Sequence, residues 1–156
     1  MRVLFLCAGN SCRSQMAEGL LRHLSSGRVN AFSAGTHPKP VHPLAVRVMH
    51  EIGIDIAHHT SKSPDQFLGQ PFDAIITVCD RAKEACPVFP SAAHQLHWSL
   101  EDPAQATGTE EERLQVFRSI RDDMAHRVAA FLTQQPGTEH EACAEPGLPT
   151  SRRPVL

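Results

Sequence analysis

The chain contains no tyrosine and one tryptophan, and no apolar run in its 156 residues approaches the ~20 needed to cross a bilayer. Nor does it carry a strong charge of either sign. A formal net charge of −2 leaves no basic footprint for nucleic acid and no basic amphipathic stretch for a membrane surface. Five cysteines are too few, and the wrong parity, for a disulfide scaffold of this length. Ten histidines invite a metal reading, but the nearest pairs, His58/His59 and His94/His97, lack a cysteine or carboxylate pair at ligand spacing. No metal and no bound cofactor are therefore expected. The opening Met1-Arg2 precedes only four apolar residues, against roughly 7–15 in a secretion signal. The expectation is a cytoplasmic monomer with reduced cysteines and no nucleic-acid or membrane partner.

What is present is concentrated at the start. Val3 to Leu6 form an unbroken apolar run, the pattern of a strand buried on both faces. It leads into Cys7-Ala8-Gly9-Asn10-Ser11-Cys12-Arg13-Ser14, after which Met16, Leu20, Leu21 and Leu24 recur at helical spacing as far as Gly27. A loop that ends on a helix N-terminus turns backbone N–H groups inward and adds the positive end of the helix dipole. Such a cup fits a tetrahedral oxyanion, and Arg13 can close it with a planar two-pronged fork. Cys7, at the floor, has its thiolate favoured by the same donors and becomes a nucleophile aimed at the central atom.

Further along, a strand is expected over Val29 to Ser33, ending at Ala34-Gly35, and a helix from Pro43 with Ile52 on its apolar face, closed by Gly53. Ser63-Pro64-Asp65-Gln66 carries the marks of a short capped helix. Phe72 to Val78 reads as a second buried strand and Leu96-His97-Trp98 as a weaker one. Thr109 to Glu112 is a capping box, followed by Leu114, Phe117, Ile120, Met124, Val128 and Phe131 along a long amphipathic helix. This alternation implies a single α/β domain over residues 1–134, a parallel sheet with helices on both faces and ligands at the carboxyl ends of strands. Residues 135–156, rich in proline and without apolar periodicity, read as a flexible, disordered tail, in which Cys143 is an incidental thiol.

Cys79 follows the second buried strand and lies seven residues before Cys86, across a helix-favouring segment. In a continuous helix the two would stand about 10 Å apart along the axis, too far for a disulfide unless the segment unwinds. Taken alone, the pair reads as a packed core cysteine, Cys79, and a loop cysteine, Cys86, before Pro87.

The blocks at 7–19, 33–35, 59–61, 77–87 and 97–104 (CAGNSCRSQMAEG, SAG, HTS, TVCDRAKEACP and HWSLEDPA) together resemble the thioredoxin-coupled arsenate reductases built on the low-molecular-weight tyrosine phosphatase fold. The resemblance covers residues 2 to about 132. It implies a central four-stranded parallel sheet flanked by helices, and an oxidoreductase that converts arsenate to arsenite in arsenic detoxification. By that resemblance Ala8, Gly9, Asn10, Ser11, Cys12, Arg13 and Ser14 hold the oxyanion, for which phosphate or sulfate are mimics. Cys7 attacks arsenic, Asp102 is the acid, and a Cys7–Cys79–Cys86 disulfide relay is reset by thioredoxin as external reductant. Some relatives bind a monovalent cation through the position of Glu18 and a carboxylate where this chain has Lys62, whose ammonium takes the ion's place. Cys12 is either a packed bystander or the partner of a protective disulfide with Cys7. The competing readings are a low-molecular-weight tyrosine phosphatase, which needs neither Cys79 nor Cys86 and lines its pocket with aromatic residues, and a non-enzymatic oxyanion- or redox-sensing module.

Overall fold

Val3, Leu4, Phe5 and Leu6 are wholly excluded from solvent, so the strand they form has core on both faces. In the computed structural model, which describes residues 1–78 and 92–134, this strand is β1 (Arg2–Cys7). It lies between β2 (Asn30–Gly35) and β3 (Ala74–Thr77), with β4 (His94–His97) outside β3. All three pairings are parallel. The chain leaves β1 for β2 on one side and comes back past it to β3 on the other. The carboxyl end of β1 therefore opens at the switch in strand order, where open parallel sheets bind ligands.

Helix α1 (Arg13–Leu24) and helix α2 (Pro43–His50) both pack against the long helix α3 (Glu110–Thr133). Leu114, Phe117, Met124 and Val128 are buried along one stripe of α3, each contributing about 1.5–3 kcal/mol of apolar transfer. The capping box is complete: Thr109 Oγ1 accepts from the Glu112 amide at 3.1 Å and Glu112 Oε1 from the Thr109 amide at 2.8 Å. Trp98 packs between Phe5, tilted at a centroid distance of 5.9 Å, and Phe131, edge-on at 6.5 Å, and so ties sheet to helix.

Several boundaries differ from the sequence expectation. Strand β2 runs to Gly35 because its last residues pair in register with Leu6 and Cys7. Helix α2 stops at His50, and Ile52, expected on its apolar face, is 40 % exposed in the turn that follows. The segment at Ser63 is a single 3-10 turn, Pro64–Phe67, capped by Ser63 Oγ. Strand β3 is shorter than expected and β4 begins two residues earlier, as an exposed edge. Cys79, Cys86, Cys143 and the tail from residue 135 lie outside the described residues.

An ion-pair cluster joins α2's end to α3. Glu51 accepts from Arg118 Nη2 at 2.8 Å and Arg121 Nη1 at 3.0 Å, and Arg121 also reaches the Val48 carbonyl. These guanidinium groups, Arg118 foremost, pull the Glu51 carboxyl down to about 2. A depressed folded-state value stabilises above the ordinary carboxylate range, and the gain is lost as pH falls through the folded value. Glu51→Gln is thus expected to lower the urea midpoint at pH 7, and the gap from wild type should close between about pH 5 and pH 2. A gap that persisted unchanged at pH 2 would mean that Glu51 acts through packing and not through its charge.

Candidate active site

Helix α3 has acidic residues in its first turn and a full cap, whereas α1 has neither. Its N-cap, Cys12, makes no side-chain capping bond and no acidic residue occupies the first turn. The leading amides of a helix have no carbonyl a turn behind them, so this N-terminus presents donors and positive dipole to a cavity of about 640 Å³. Cys7, Ala8, Gly9, Ser11, Cys12 and Arg13 form its floor, with Asp102, Ala104 and Gln105 on one wall and His37, Lys39, Pro40 and His42 on the other.

Cys7 is a free thiol, 2 % exposed, and its Sγ has two neighbours that set its chemistry. The Asn10 amide donates to it at 3.1 Å, and the Ser14 hydroxyl lies 2.8 Å away. The direction of the second bond follows from its surroundings. The Lys62 backbone amide donates to Asn10 Oδ1 at 2.8 Å, so Asn10 Nδ2 is the atom that faces Ser14 Oγ, also at 2.8 Å. With its oxygen accepting from Asn10, Ser14 has its own proton free for the sulfur. Behind Asn10, Gln15 Nε2 donates to Asn10 Oδ1 and to the carbonyls of Asn10 and Thr60. Gln15 Oε1 is left to accept from His59 Nδ1 at 2.9 Å. From His59 through Gln15, Asn10 and Ser14, every donor points toward Cys7. Such a chain stabilises negative charge at its end.

Asn10 itself has φ of +51°, a left-handed conformation that asparagine tolerates better than most residues. Asn10 and Ser14 are fully buried in the loop, where they bond each other and both reach the Cys7 sulfur. Burial pushes the Cys12 thiol up to about 12, which leaves it protonated beside Cys7.

Arg13 lies over the cup, Nη1 on the Leu100 carbonyl at 2.9 Å and Nη2 3.6 Å from Asp102 Oδ2. Its Nε is buried and has no partner among the described residues. Asp102 caps the 3-10 turn Pro103–Gln105 through Oδ1, on the Ala104 amide at 3.0 Å, which fixes the other oxygen over the cavity side of Arg13. A nucleophile, an anion cup, a guanidinium and a carboxyl group thus converge, the parts required for attack on an oxyanion with protonation of the departing oxygen.

Among the described residues no group of three His, Cys, Asp or Glu side chains could hold a metal ion. Glu18 is taken up by Ser33 Oγ at 2.5 Å and Arg22 Nη2 at 2.8 Å, while the Lys62 ammonium donates to the Thr60 carbonyl at 2.7 Å. No helix among them is long and apolar enough to cross a membrane. Gln15, His37 and Lys39 had no role in the sequence reading. Gln15 falls on the face of α1 shared with Glu18 and Arg22, opposite the Met16, Leu20 and Leu24 stripe, so the helical spacing gives no signal for it.

Comparison with known proteins agrees with this geometry. The model of the family described as low molecular weight phosphotyrosine protein phosphatase matches residues 2–140. An arsenate reductase of Halalkalibacterium halodurans is 46 % identical over 129 residues, covering 83 % of this chain and 93 % of the relative. A solved arsenate reductase in its phosphate-binding state superposes with a TM-score of 0.73 at 35 % identity, covering 83 % of this chain and 95 % of that one. A thioredoxin-dependent arsenate reductase of Corynebacterium glutamicum is similar at 27 % identity and a TM-score of 0.59, over 83 % of this chain and 62 % of the other.

Proposed function

Because the chain belongs to the low-molecular-weight phosphotyrosine protein phosphatase family, with relatives that are arsenate reductases, we propose that its cup takes arsenate and that Cys7 begins the reduction. The enzyme is an arsenate reductase. The observation that carries the residue assignment is the free Cys7 thiol at the floor of an uncapped helix N-terminus, with donors directed at its sulfur.

In this reading arsenate lies against the loop from Ala8 to Ser14 and is clamped by Arg13. The Cys7 thiolate forms a bond to arsenic as an oxygen leaves with a proton from Asp102. The Cys79 thiolate then attacks Cys7 Sγ. The S–As bond breaks with its electron pair remaining on arsenic, so As(V) becomes As(III) and arsenite departs. Two thiolates have become the Cys7–Cys79 disulfide. Cys86 attacks Cys79, returning the Cys7 thiolate and leaving a Cys79–Cys86 disulfide for the thioredoxin dithiol to reduce. The named thioredoxin dependence of the Corynebacterium relative supports that choice of reductant. No bound cofactor has a part in this sequence.

The test is one experiment in two stages. With arsenate and no reductant, the protein should release one equivalent of arsenite and yield a Cys79–Cys86 disulfide on peptide mapping. Thioredoxin, its reductase and NADPH should then make arsenite release continuous. A final Cys7–Cys79 disulfide would remove Cys86 from the relay. Brisk aryl phosphate hydrolysis without arsenite would make the protein a phosphatase, against a cavity wall that offers Ala104 and Gln105 in place of aromatic rings.

A further inference from the structure

The wall opposite Asp102 carries a cation that the reaction sequence does not use. The segment from Thr36 to His42 is zipped onto the anion loop by alternate backbone bonds. Thr36, His37, Lys39 and His42 amides donate to the carbonyls of Cys7, Ala8, Gly9 and Ser11 at 2.7–3.2 Å. Ser61 Oγ adds bonds to the Lys39 and Asn10 carbonyls, which fastens the two segments together. Pro38 and Pro40 stiffen the backbone on either side of Lys39. Its stem passes over Gly9, where a Cβ on that glycine would lie 3.7 Å from Lys39 Cδ.

Lys39 therefore lines the cavity on a base fixed by these backbone bonds. It is exposed, and among the described residues no carboxylate pairs with it. Other charges at the mouth are already committed. Arg13 and Asp102 face each other at 3.6 Å. His42 accepts the Leu44 amide through Nδ1, and burial and Arg113 lower its proton affinity, so it is neutral. His37 is exposed beside Lys39.

We propose that Lys39 is a specificity-determining residue that draws dianionic tetrahedral oxyanions into the cup and favours them over monoanions. This rests on the oxyanion reading of the cup. It assigns Lys39 to capture only: the ammonium acts before chemistry, so it raises kcat/KM and leaves kcat alone.

The experiment measures protection of Cys7 from iodoacetamide by inorganic phosphate, quantified on the Cys7 peptide, in wild type, Lys39→Met and Lys39→Arg at low and high salt. Among the described residues the Lys39 side chain makes no hydrogen bond, so both variants should fold. Lys39→Met should weaken phosphate protection about fivefold to tenfold at low salt, as one unscreened charge beside a dianion would. Lys39→Arg should restore it, and the gap should close at about 1 M salt, where the screening length is near 3 Å. Arsenate kcat/KM should fall by the same factor at unchanged kcat. Equal phosphate constants in wild type and Lys39→Met, or a gap indifferent to salt, would overturn the role of Lys39. Failure of phosphate to protect even wild-type Cys7 would overturn the oxyanion reading of the cup itself.

Discussion

Arg13→Lys is expected to lower kcat/KM for arsenate about a hundredfold to a thousandfold, on the scale of losing an oxyanion donor or two. The reason is geometric and not a matter of charge, which lysine keeps. The guanidinium uses Nη1 on the Leu100 carbonyl and places Nη2 3.6 Å from Asp102. It still holds a buried Nε donor with no partner among the described residues. A buried donor left unmade costs about 1–3 kcal/mol, a penalty relieved when an oxyanion oxygen accepts from it. A lysine ammonium is a single point and cannot keep the Leu100 anchor, face Asp102 and meet the oxyanion together. Phosphate protection of Cys7 from alkylation should weaken in parallel, because the fork serves bound anion as well as transition state. Steady-state turnover with the thioredoxin system and the alkylation assay check both halves. Near-normal kcat/KM in Arg13→Lys would show that charge alone suffices and that the unpaired Nε has no part in binding.

The parts of this site that could be read from the sequence are those where local pattern and chemistry coincide. Val3 to Leu6, too short for a secretion signal, read as a buried strand, and Gly9 with the helical spacing after Ser14 pointed to a tight loop onto a helix. Cys7 and Arg13 then fell at the two ends of that loop. What the sequence concealed depends on contacts between distant segments. Gln15 is one helix residue among others until Thr60, His59 and Asn10 surround it. The Leu100 carbonyl that anchors Arg13 has no side-chain signature at all. Lys39 carries no local signal between its two prolines, and it is the backbone bonds to Ala8, Gly9 and Ser11 that bring its segment to the cavity. Strand β4 begins two residues before its expected start because an exposed edge has little alternation to set its bounds.

Gly35→Ala is the substitution expected to damage both fold and activity. Gly35 ends β2 opposite Cys7 in the parallel register, and its amide donates to the Lys62 carbonyl at 2.8 Å. A Cβ there would lie 2.5 Å from the Asn10 amide nitrogen, 2.7 Å from the Ala8 carbonyl oxygen and 2.8 Å from Asn10 Cβ. Two of those atoms are backbone, and the third is pinned to it, so no side chain can swing aside. The φ of Gly35 is not among the positive values, which makes the cost one of space and not of backbone preference. Alanine also narrows the unfolded ensemble, a gain of about 0.4–1 kcal/mol that works against the effect. A net loss of about 1–3 kcal/mol is expected, as for overpacking of a tight interior. The larger loss is chemical. The Asn10 amide that the methyl displaces is the one donating to Cys7 Sγ. A shift near 1 Å at such a point costs about a hundredfold in rate. Urea unfolding gives the first quantity, and single-turnover arsenite release gives the second. If Gly35→Ala matched wild type in both, the anion loop would have slack that these distances deny it.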